Sequence, residues 1–203
     1  MNKLWVFGDS FSMDYNKDSA PWCVEYVKWK GGNVKTYGHF VSEYFNLELV
    51  NKASGGNDNF TIFNDLCDNI DLINEDDFVI IGWAPVSRFR IVNHKINCWN
   101  IVSGYSYDDN NDFIENINYR TIREIQINRD HKLYLDELKS WEKIIYKSLK
   151  NNKIFIWKWS GFDANRLNQV CQETNNVITD CHWSEDGHRD FSKEVIEKIK
   201  NNE

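Results

Sequence analysis

A serine in the first turn of the chain is the residue whose position most directly suggests chemistry. Residues 3–8 form a short apolar run typical of a buried parallel strand, and the run ends at the turn Gly8-Asp9-Ser10-Phe11-Ser12. A hydroxyl at such a strand end, close to backbone N–H groups, suits a nucleophile whose tetrahedral intermediate needs hydrogen-bond donors. The same residue types dominate ordinary turns, so the tripeptide alone leaves a purely structural interpretation open.

A second polar turn, near the C-terminus, supplies a candidate acid–base pair. Asp180 lies two residues before His182, and a carboxylate there can orient an imidazole that acts as general base. His188 is an alternative base, but the glycine before it and the predicted helix after it favour a position at a helix start. A lone loop histidine is often only a surface residue, so this pair gains meaning from where the fold places it.

Alternating strands and helices must position these residues. The apolar runs predict strands at 3–8, 47–51, 78–83, 153–157 and 177–179, and the helical spacings predict helices at 39–46, 60–70, 121–150 and 192–200. This order predicts a three-layer α/β/α fold with a parallel, flavodoxin-like sheet of about five strands. Residues 88–120 interrupt the rhythm and predict an irregular or β-containing insertion, within a single domain spanning 1–203.

The carboxyl ends of parallel strands share one edge of the sheet, where ligands bind in this class of fold. That rule points to the turns at 8–12, 55–59, 82–88 and 180–188. Ser10, Asp180 and His182 all fall in these turns, and their conjunction is more specific than any of them alone. The residues therefore predict a serine nucleophile with a histidine base and an aspartate that orients it.

The two ends of the chain resemble the SGNH (GDSL-type) hydrolase superfamily of esterases and lipases. Phe7-Gly8-Asp9-Ser10-Phe11-Ser12 is similar to that family's nucleophile block. Asp180-Cys181-His182-Trp183 with Gly187-His188 is similar to its C-terminal histidine segment, with an Asp–His spacing that is one residue shorter. The resemblance implies Ser10 as nucleophile, His182 as base and Asp180 as its orienting partner, and it covers the middle of the chain by strand order only.

The resemblance also implies an oxyanion hole, and here the chain departs from the family pattern. The family uses the N–H of its nucleophile (Ser10), a glycine after the second strand (Gly56, with Gly55 as rival) and an asparagine after the third strand. At that last position the chain has Ala84, which has no side-chain donor, and losing one donor typically costs about 10²–10³ in turnover. Our hypothesis is that Asn59 or Asn57, from the neighbouring turn, replaces it.

Three further residues at the predicted edge are candidates for substrate binding. Trp83 and Trp183 can stack on a sugar ring, although simple packing in the fold is the favoured explanation. Arg88 has a guanidinium suited to a carboxylate or sulfate on a substrate, and an ion pair with one of the many acidic residues on the protein surface is the alternative.

Composition excludes several other classes of protein. The net charge of −7, without a dense basic run, argues against nucleic-acid binding. No apolar run approaches the roughly 18 residues of a membrane span, and the N-terminus turns polar too early for a signal peptide. We therefore expect synthesis in the cytosol, with assembly into a virion as an alternative, since the abundant asparagine suits a phage, virus or low-GC bacterium.

Five widely spaced cysteines, without a Cys-x-x-Cys pair, predict neither a disulfide framework nor a zinc site, and we expect most of them in the core. No metal or other cofactor is expected.

Three functions remain open at this point. The first is a serine esterase acting on a small ester, with an acetylated carbohydrate as favoured substrate and the insertion at 88–120 shaping the pocket. The second is a non-catalytic descendant that binds glycans or serves as a structural subunit, because of Ala84. The third is a metal-dependent phosphoesterase that uses Asp9, Asp180, His182 and His188 as ligands.

Overall fold

The computed structural model describes residues 1–16, 21–85, 88–93, 98–102, 131–158, 168–178, 180 and 182–201. The strands are β1 (Lys3–Phe7), β2 (Glu48–Asn51), β3 (Phe78–Trp83), β4 (Phe89–Asn93), β5 (Cys98–Val102) and β6 (Lys153–Lys158). The helices are α1 (Pro21–Lys30), α2 (Tyr37–Phe45), α3 (Asn59–Asn69), a 3₁₀ turn (Ile70–Leu72), α4 (His131–Ser148), α5 (Gln169–Glu173) and α6 (Glu185–Asn201).

A parallel sheet lies at the centre of the fold. Its strands have the order β2-β1-β3-β6, with β1 aligned so that Trp5 faces Val50 on one side and Val79 on the other. The predicted parallel α/β architecture is thus confirmed. The strand predicted at 177–179 is wrong in its described part, because Val177 and Ile178 lie in a bend, while Thr179 lies outside the described residues.

Both faces of the sheet are covered, as the continuously apolar strands predict. Leu4, Val6 and Ile80 face the layer formed by α2 and α6, where they pack with Val41 and Val195. The alternate strand residues Trp5, Phe7, Val79 and Ile81 face α3 and α4 and pack with residues such as Leu66 and Leu138. The period-2 alternation of strand side chains therefore divides the core into two layers around one sheet.

The helices differ from their predicted bounds at several points. The C-terminal helix α6 begins at Glu185 rather than near Ser192, and α1 was not predicted at all. In the described part of the predicted helix 121–150, α4 begins at His131; residues 121–130 lie outside the described range. Among the described helices, none is both long and apolar enough to span a bilayer.

The predicted insertion after β3 begins with a hairpin. Strands β4 and β5 pair antiparallel, with Phe89 opposite Val102, in a sheet separate from the central one. The prediction of β structure in this segment is confirmed for these strands, and residues 103–120 lie outside the described ones. The first described residue of the insertion is Arg88, which leads directly into β4.

Two glycines make room for a buried serine at the functional edge of the sheet. A Cβ added to Gly8 would lie 2.4 Å from Ser12 Oγ, and one added to Gly82 would lie 2.6 Å from the same atom. Ser12 is buried and accepts a hydrogen bond of 2.9 Å from the Tyr37 hydroxyl. The ends of β1 and β3 can therefore approach the first turn only because both residues lack a side chain.

We expect Gly82→Ala to lower the free energy of unfolding by about 1–3 kcal/mol, because the new methyl group overpacks Ser12 and the Trp157 ring. The matched control is Gly32→Ala, since Gly32 is exposed and its added Cβ would meet nothing within 4 Å. Urea titration of the three proteins measures the difference. Equal losses of stability in the two variants would contradict the steric argument.

Candidate active site

The first turn is organised by Asp9. Its backbone carbonyl accepts hydrogen bonds from the N–H groups of Ser12 at 2.9 Å and Met13 at 3.1 Å. Its carboxylate Oδ1 accepts a third one, at 3.1 Å, from the Phe11 N–H. These bonds close a tight turn directly after β1, with Ser10 at its head. Asn51 on β2 secures the far side of the turn by donating to the Ser12 carbonyl at 2.8 Å.

Ser10, His182 and Asp180 form one hydrogen-bonded chain. The distance from Ser10 Oγ to His182 Nε2 is 2.9 Å, and that from His182 Nδ1 to Asp180 Oδ1 is 2.7 Å. Because a carboxylate only accepts hydrogen bonds, the Nδ1 atom carries the proton and Nε2 is left to accept the serine hydroxyl. The arrangement can deprotonate Ser10 during an attack and stabilise the imidazolium that forms.

The histidine turn is held in place by side chains from the N-terminal part of the chain. The Tyr15 hydroxyl donates to the Trp183 carbonyl at 3.2 Å, and the Tyr26 hydroxyl accepts from the Glu185 N–H at 3.1 Å. The Phe11 ring stacks on the His182 imidazole, with ring centres 4.6 Å apart. The imidazole is therefore fixed both through its neighbours in the chain and through its ring face.

Cys171 positions the backbone of Asp180, and the sequence contained no signal for this contact. Its Sγ lies 2.9 Å from both the N and the O atom of Asp180. Cys23 is buried, as expected, whereas Cys67 is exposed and Cys171 is half-buried; the Cys181 side chain lies outside the described residues. Cys171 thus has a local structural role at the site that spacing arguments could not find.

The second turn lies against the first and offers backbone donors. The Ser54 N–H and the Asn57 side-chain amide each donate to the Gly8 carbonyl at 3.2 Å. Gly56 has a φ of +82°, which favours glycine at this position. Within the described residues, neither the Ser10 N–H nor the Gly56 N–H donates a hydrogen bond. Both N–H groups thus have no acceptor in the described part of the chain, and their role in an oxyanion hole stays a prediction.

Asn59 does not fit the role of a third oxyanion donor. Its side-chain nitrogen donates to the Ala84 carbonyl at 3.0 Å and to the Tyr134 hydroxyl at 2.7 Å, which uses both of its hydrogens. Its Oδ1 accepts from the Ala84 N–H at 2.6 Å. The side chain is fully buried and joins the start of α3 to the end of β3. These contacts correct the hypothesis that Asn59 replaces the missing oxyanion donor. The side-chain amide of Asn57 is also occupied, because it donates to the Gly8 carbonyl and to Asp65.

The two tryptophans expected to stack on a substrate lie in the core instead. Trp83 is 1% exposed, packs under α4 and donates to Glu142 Oε1 at 3.0 Å. Trp183 is 2% exposed and packs against the rings of Trp157 and Phe191 on the opposite face of the sheet. A ring without accessible surface offers no stacking face to a sugar, so both substrate-binding assignments are corrected.

Arg88 pairs with Asp9 rather than with a surface acid. One guanidinium nitrogen, Nη1, lies 2.9 Å from Asp9 Oδ2 and also donates to the Asn57 carbonyl at 2.9 Å. The pair is buried, with side-chain exposures of 12% for Arg88 and 2% for Asp9. Burial raises the pKa of Asp9, and the charge of Arg88 opposes this effect. The arginine expected to meet a substrate anion thus already has a protein carboxylate.

The ligands of the metal-dependent alternative do not converge. Asp180 and His182 bind each other and Asp9 binds Arg88, while His188 lies between the rings of Tyr15 and Trp183. No group of three or more potential metal ligands occurs among the described residues. His188 does not fit the role of base either, because it is fully buried in α6 and neither of its ring nitrogens has a hydrogen-bond partner among the described residues.

Comparison with solved structures shows similarity at low sequence identity. An acetyl xylan esterase from the rumen bacterium Butyrivibrio proteoclasticus matches 98% of this chain with 13% identity and a TM-score of 0.50. A carbohydrate esterase whose active site displays divergent catalytic and non-catalytic binding functions also matches 98%, with 14% identity and a TM-score of 0.49. A protein from Desulfitobacterium hafniense, assigned to the G-D-S-L family of lipolytic proteins, matches 97%, with 15% identity and a TM-score of 0.37.

The chain therefore shares its fold with the acetyl xylan esterase. The chain spans 64% of the length of the acetyl xylan esterase, which is less than two thirds. It spans 68% of the carbohydrate esterase and 99% of the G-D-S-L protein. No protein-family model matches the sequence, and no curated protein matches it. The likeness to the acetyl xylan esterase concerns the fold alone, so the catalytic roles of Ser10, Asp180 and His182 stay predictions.

His188 should make the fold sensitive to acid. Burial, followed by the charges of His182 and His39, lowers the pKa of His188 from 6.5 to about 3. Between these values the unfolded chain binds a proton that the folded protein excludes. The free energy of unfolding therefore falls as the pH falls, by about 1.4 kcal/mol per pH unit from this residue.

We expect His188→Gln, which cannot titrate, to lose less stability than the wild type between pH 7.5 and pH 4.5. Urea unfolding at both pH values measures the difference, and the comparison uses only the change with pH, so a constant packing defect cancels. Parallel pH dependences of the two proteins would show that His188 takes up a proton in the folded state.

Proposed function

We propose that this protein is a serine esterase that hydrolyses a small acyl ester. The observation that carries the proposal is the hydrogen-bonded chain from Ser10 through His182 to Asp180 at the C-terminal edge of the parallel sheet. An ordinary polar turn has no need for a serine hydroxyl directed at an imidazole that is itself oriented by a buried carboxylate. The SGNH-like fold, shared with esterases, supports the same reaction class.

In the first half of the reaction, Ser10 Oγ attacks the carbonyl carbon of the ester and its proton passes to His182 Nε2. The carbonyl oxygen becomes an oxyanion, which the N–H groups of Ser10 and Gly56 would stabilise. The C–O bond to the alcohol then breaks, and His182 gives its proton to the departing alkoxide. The products of this half are the free alcohol and an acyl group bound to Ser10.

In the second half, water replaces the alcohol. His182 takes a proton from the water as its oxygen attacks the acyl carbon, and the resulting intermediate collapses with release of the carboxylic acid. The proton returns to Ser10 Oγ, so the enzyme ends in its starting state. Asp180 stays ionised throughout and stabilises the imidazolium in both halves. No cofactor or metal is required by this sequence of steps.

For the substrate, we propose an acetyl ester of a carbohydrate. The support comes from the similar fold of an acetyl xylan esterase. The burial of Trp83 and Trp183 removes the aromatic stacking argument for a sugar, so the preference does not rest on those residues. We propose that the insertion, which begins at Arg88 and β4 after β3, shapes one side of the pocket.

A non-catalytic, ligand-binding role is the second candidate, and the oxyanion donors are the observation that favours it. The position of the family's asparagine is taken by Ala84, whose N–H is bound to Asn59. The oxyanion would then have two backbone donors, without the third donor that the asparagine side chain supplies. Turnover is therefore expected to be about 10²–10³-fold lower than with a complete oxyanion hole. A slow esterase and an inactive descendant are therefore separated by a sensitive assay of Ser10 reactivity.

We expect a fluorophosphonate probe to label the wild-type protein and 4-nitrophenyl acetate to be hydrolysed, with both signals lost in Ser10→Ala. The loss should reach on the order of 10⁴-fold or more, because a nucleophile has no substitute in this mechanism. The matched control is Ser54→Ala, an exposed serine of the second turn that should keep both signals. Mass spectrometry of the labelled protein identifies the modified residue.

Folded wild-type protein that neither reacts with the probe nor hydrolyses the ester would contradict the esterase proposal. In that case, binding of an acetylated xylo-oligosaccharide, measured by calorimetry, would support the second candidate. Labelling that persists in Ser10→Ala would instead assign the reaction to another residue.

A further inference from the structure

Arg88 connects the two turns that carry the backbone donors of the site. The same nitrogen, Nη1, binds Asp9 Oδ2 and the Asn57 carbonyl, each at 2.9 Å. Asp9 precedes Ser10 in the chain, and Asn57 follows Gly56. The guanidinium therefore joins the direct neighbours of the two residues whose N–H groups are available to an oxyanion.

The charge of Arg88 matters because Asp9 is buried beside the nucleophile. The Asp9 side chain is 2% exposed, so water does not screen its charge. A buried carboxylate next to Ser10 would repel the negative oxygen that forms when Ser10 attacks an ester. Arg88 cancels this repulsion, and the turn keeps the hydrogen bond from the Phe11 N–H to Asp9 Oδ1.

A role in binding a substrate anion is less compatible with these contacts. The guanidinium is only 12% exposed, and Nη1 is engaged by a carboxylate and a carbonyl of the protein. Its location at the start of the insertion, directly before β4, places it as an anchor of that segment on the first turn. The contacts indicate a residue that shapes the site rather than one that recognises the substrate.

We propose that Arg88 is a positioning residue of the oxyanion site, which compensates for the missing asparagine at Ala84. It holds the turn of Ser10 against the turn of Gly56 and neutralises Asp9, so that two backbone donors act in an environment without an unpaired negative charge. This inference rests on the proposed esterase function. It predicts that Arg88 affects the chemical step and leaves substrate binding nearly unchanged.

The test compares kcat and KM for 4-nitrophenyl acetate, with rates expressed per active site titrated by the fluorophosphonate probe. For Arg88→Met we expect kcat to fall about 10²-fold while KM changes by less than about threefold. Arg88→Lys, which keeps the charge but lacks the guanidinium geometry, should recover about tenfold of that loss. The control is Arg189→Met, which removes an exposed arginine that is also paired with aspartate, and which should keep the wild-type kcat.

A double variant separates the charge effect from simple loss of structure. Asp9→Asn combined with Arg88→Met removes both charges, and we expect its kcat to exceed that of Arg88→Met by about tenfold, because no unpaired carboxylate remains near the oxyanion. If Arg88→Met does not fold, the double variant is compared with the wild type, and an equal kcat would overturn the proposal, because the link between the two turns would then contribute nothing to catalysis.

The outcomes distinguish this inference from the proposed function. Wild-type kcat per active site in Arg88→Met, or an effect confined to KM, would overturn the positioning role while leaving the esterase intact. A wild-type protein that does not react with the probe would overturn the esterase and, with it, the role of Arg88. A fall in kcat that lysine partly rescues, at constant KM, supports the proposal.

Discussion

A buried negative charge at the end of the first strand is the constraint on which the candidate site depends. Asp9 orders its turn through its carboxylate and its carbonyl, and Ser10 owes its position to that turn. A carboxylate in this place is tolerated only with a charged or hydrogen-bonding partner. Arg88 supplies both, although it lies on the far side of β3 in the sequence. The nucleophile turn and the start of the insertion are therefore coupled by electrostatics.

The second constraint is the close approach of the backbone at Gly8 and Gly82 to the side chain of Ser12. Ser12 occupies the space above Gly8 and Gly82, and its hydroxyl is bound to Tyr37. The Trp157 indole N–H in turn donates to the Tyr37 hydroxyl at 3.4 Å. This network ties the ends of three strands to α2, so the first turn has a rigid support in the sheet. The Tyr37 hydroxyl thus both donates and accepts a hydrogen bond within this buried network.

The parts of the fold that could be predicted are those determined by local patterns. Strands β1, β3 and β6 are apolar runs of suitable length, and the turns that follow β1 and β2 carry glycine and aspartate at the expected places. The position of Ser10 could be predicted because it follows β1 at the carboxyl edge of the sheet, whereas Asp180 and His182 lie in a turn that no described strand leads into. The segment at 177–179 could not be predicted correctly, because the Thr174 hydroxyl accepts from the Ile178 N–H and closes a turn there.

The sequence could not predict the direction in which individual side chains point, or which distant residues they contact. Trp83 follows the apolar residues of β3 and was placed near the site, but strand alternation turns its ring into the core under α4. Asn59 looked like a donor, but its amide fits the backbone of Ala84 in both directions. The pairing of Arg88 with Asp9 joins residues far apart in the chain, and no local pattern encodes it.

The turn that carries Asp180 and His182 is positioned by side-chain contacts rather than by the sheet. In the described part of the chain, no strand leads into Asp180, so the sheet does not set the position of this turn directly. The turn is held instead by contacts from other elements: Cys171 at the backbone of Asp180, Tyr15 at the Trp183 carbonyl and Tyr26 at the start of α6. The nucleophile therefore belongs to a rigid sheet edge, whereas its base is carried by a turn fixed through side chains. A site divided in this way can change its acid–base turn without rebuilding the sheet, and this is consistent with an Asp–His spacing that differs from the family pattern while the contact with Ser10 is kept.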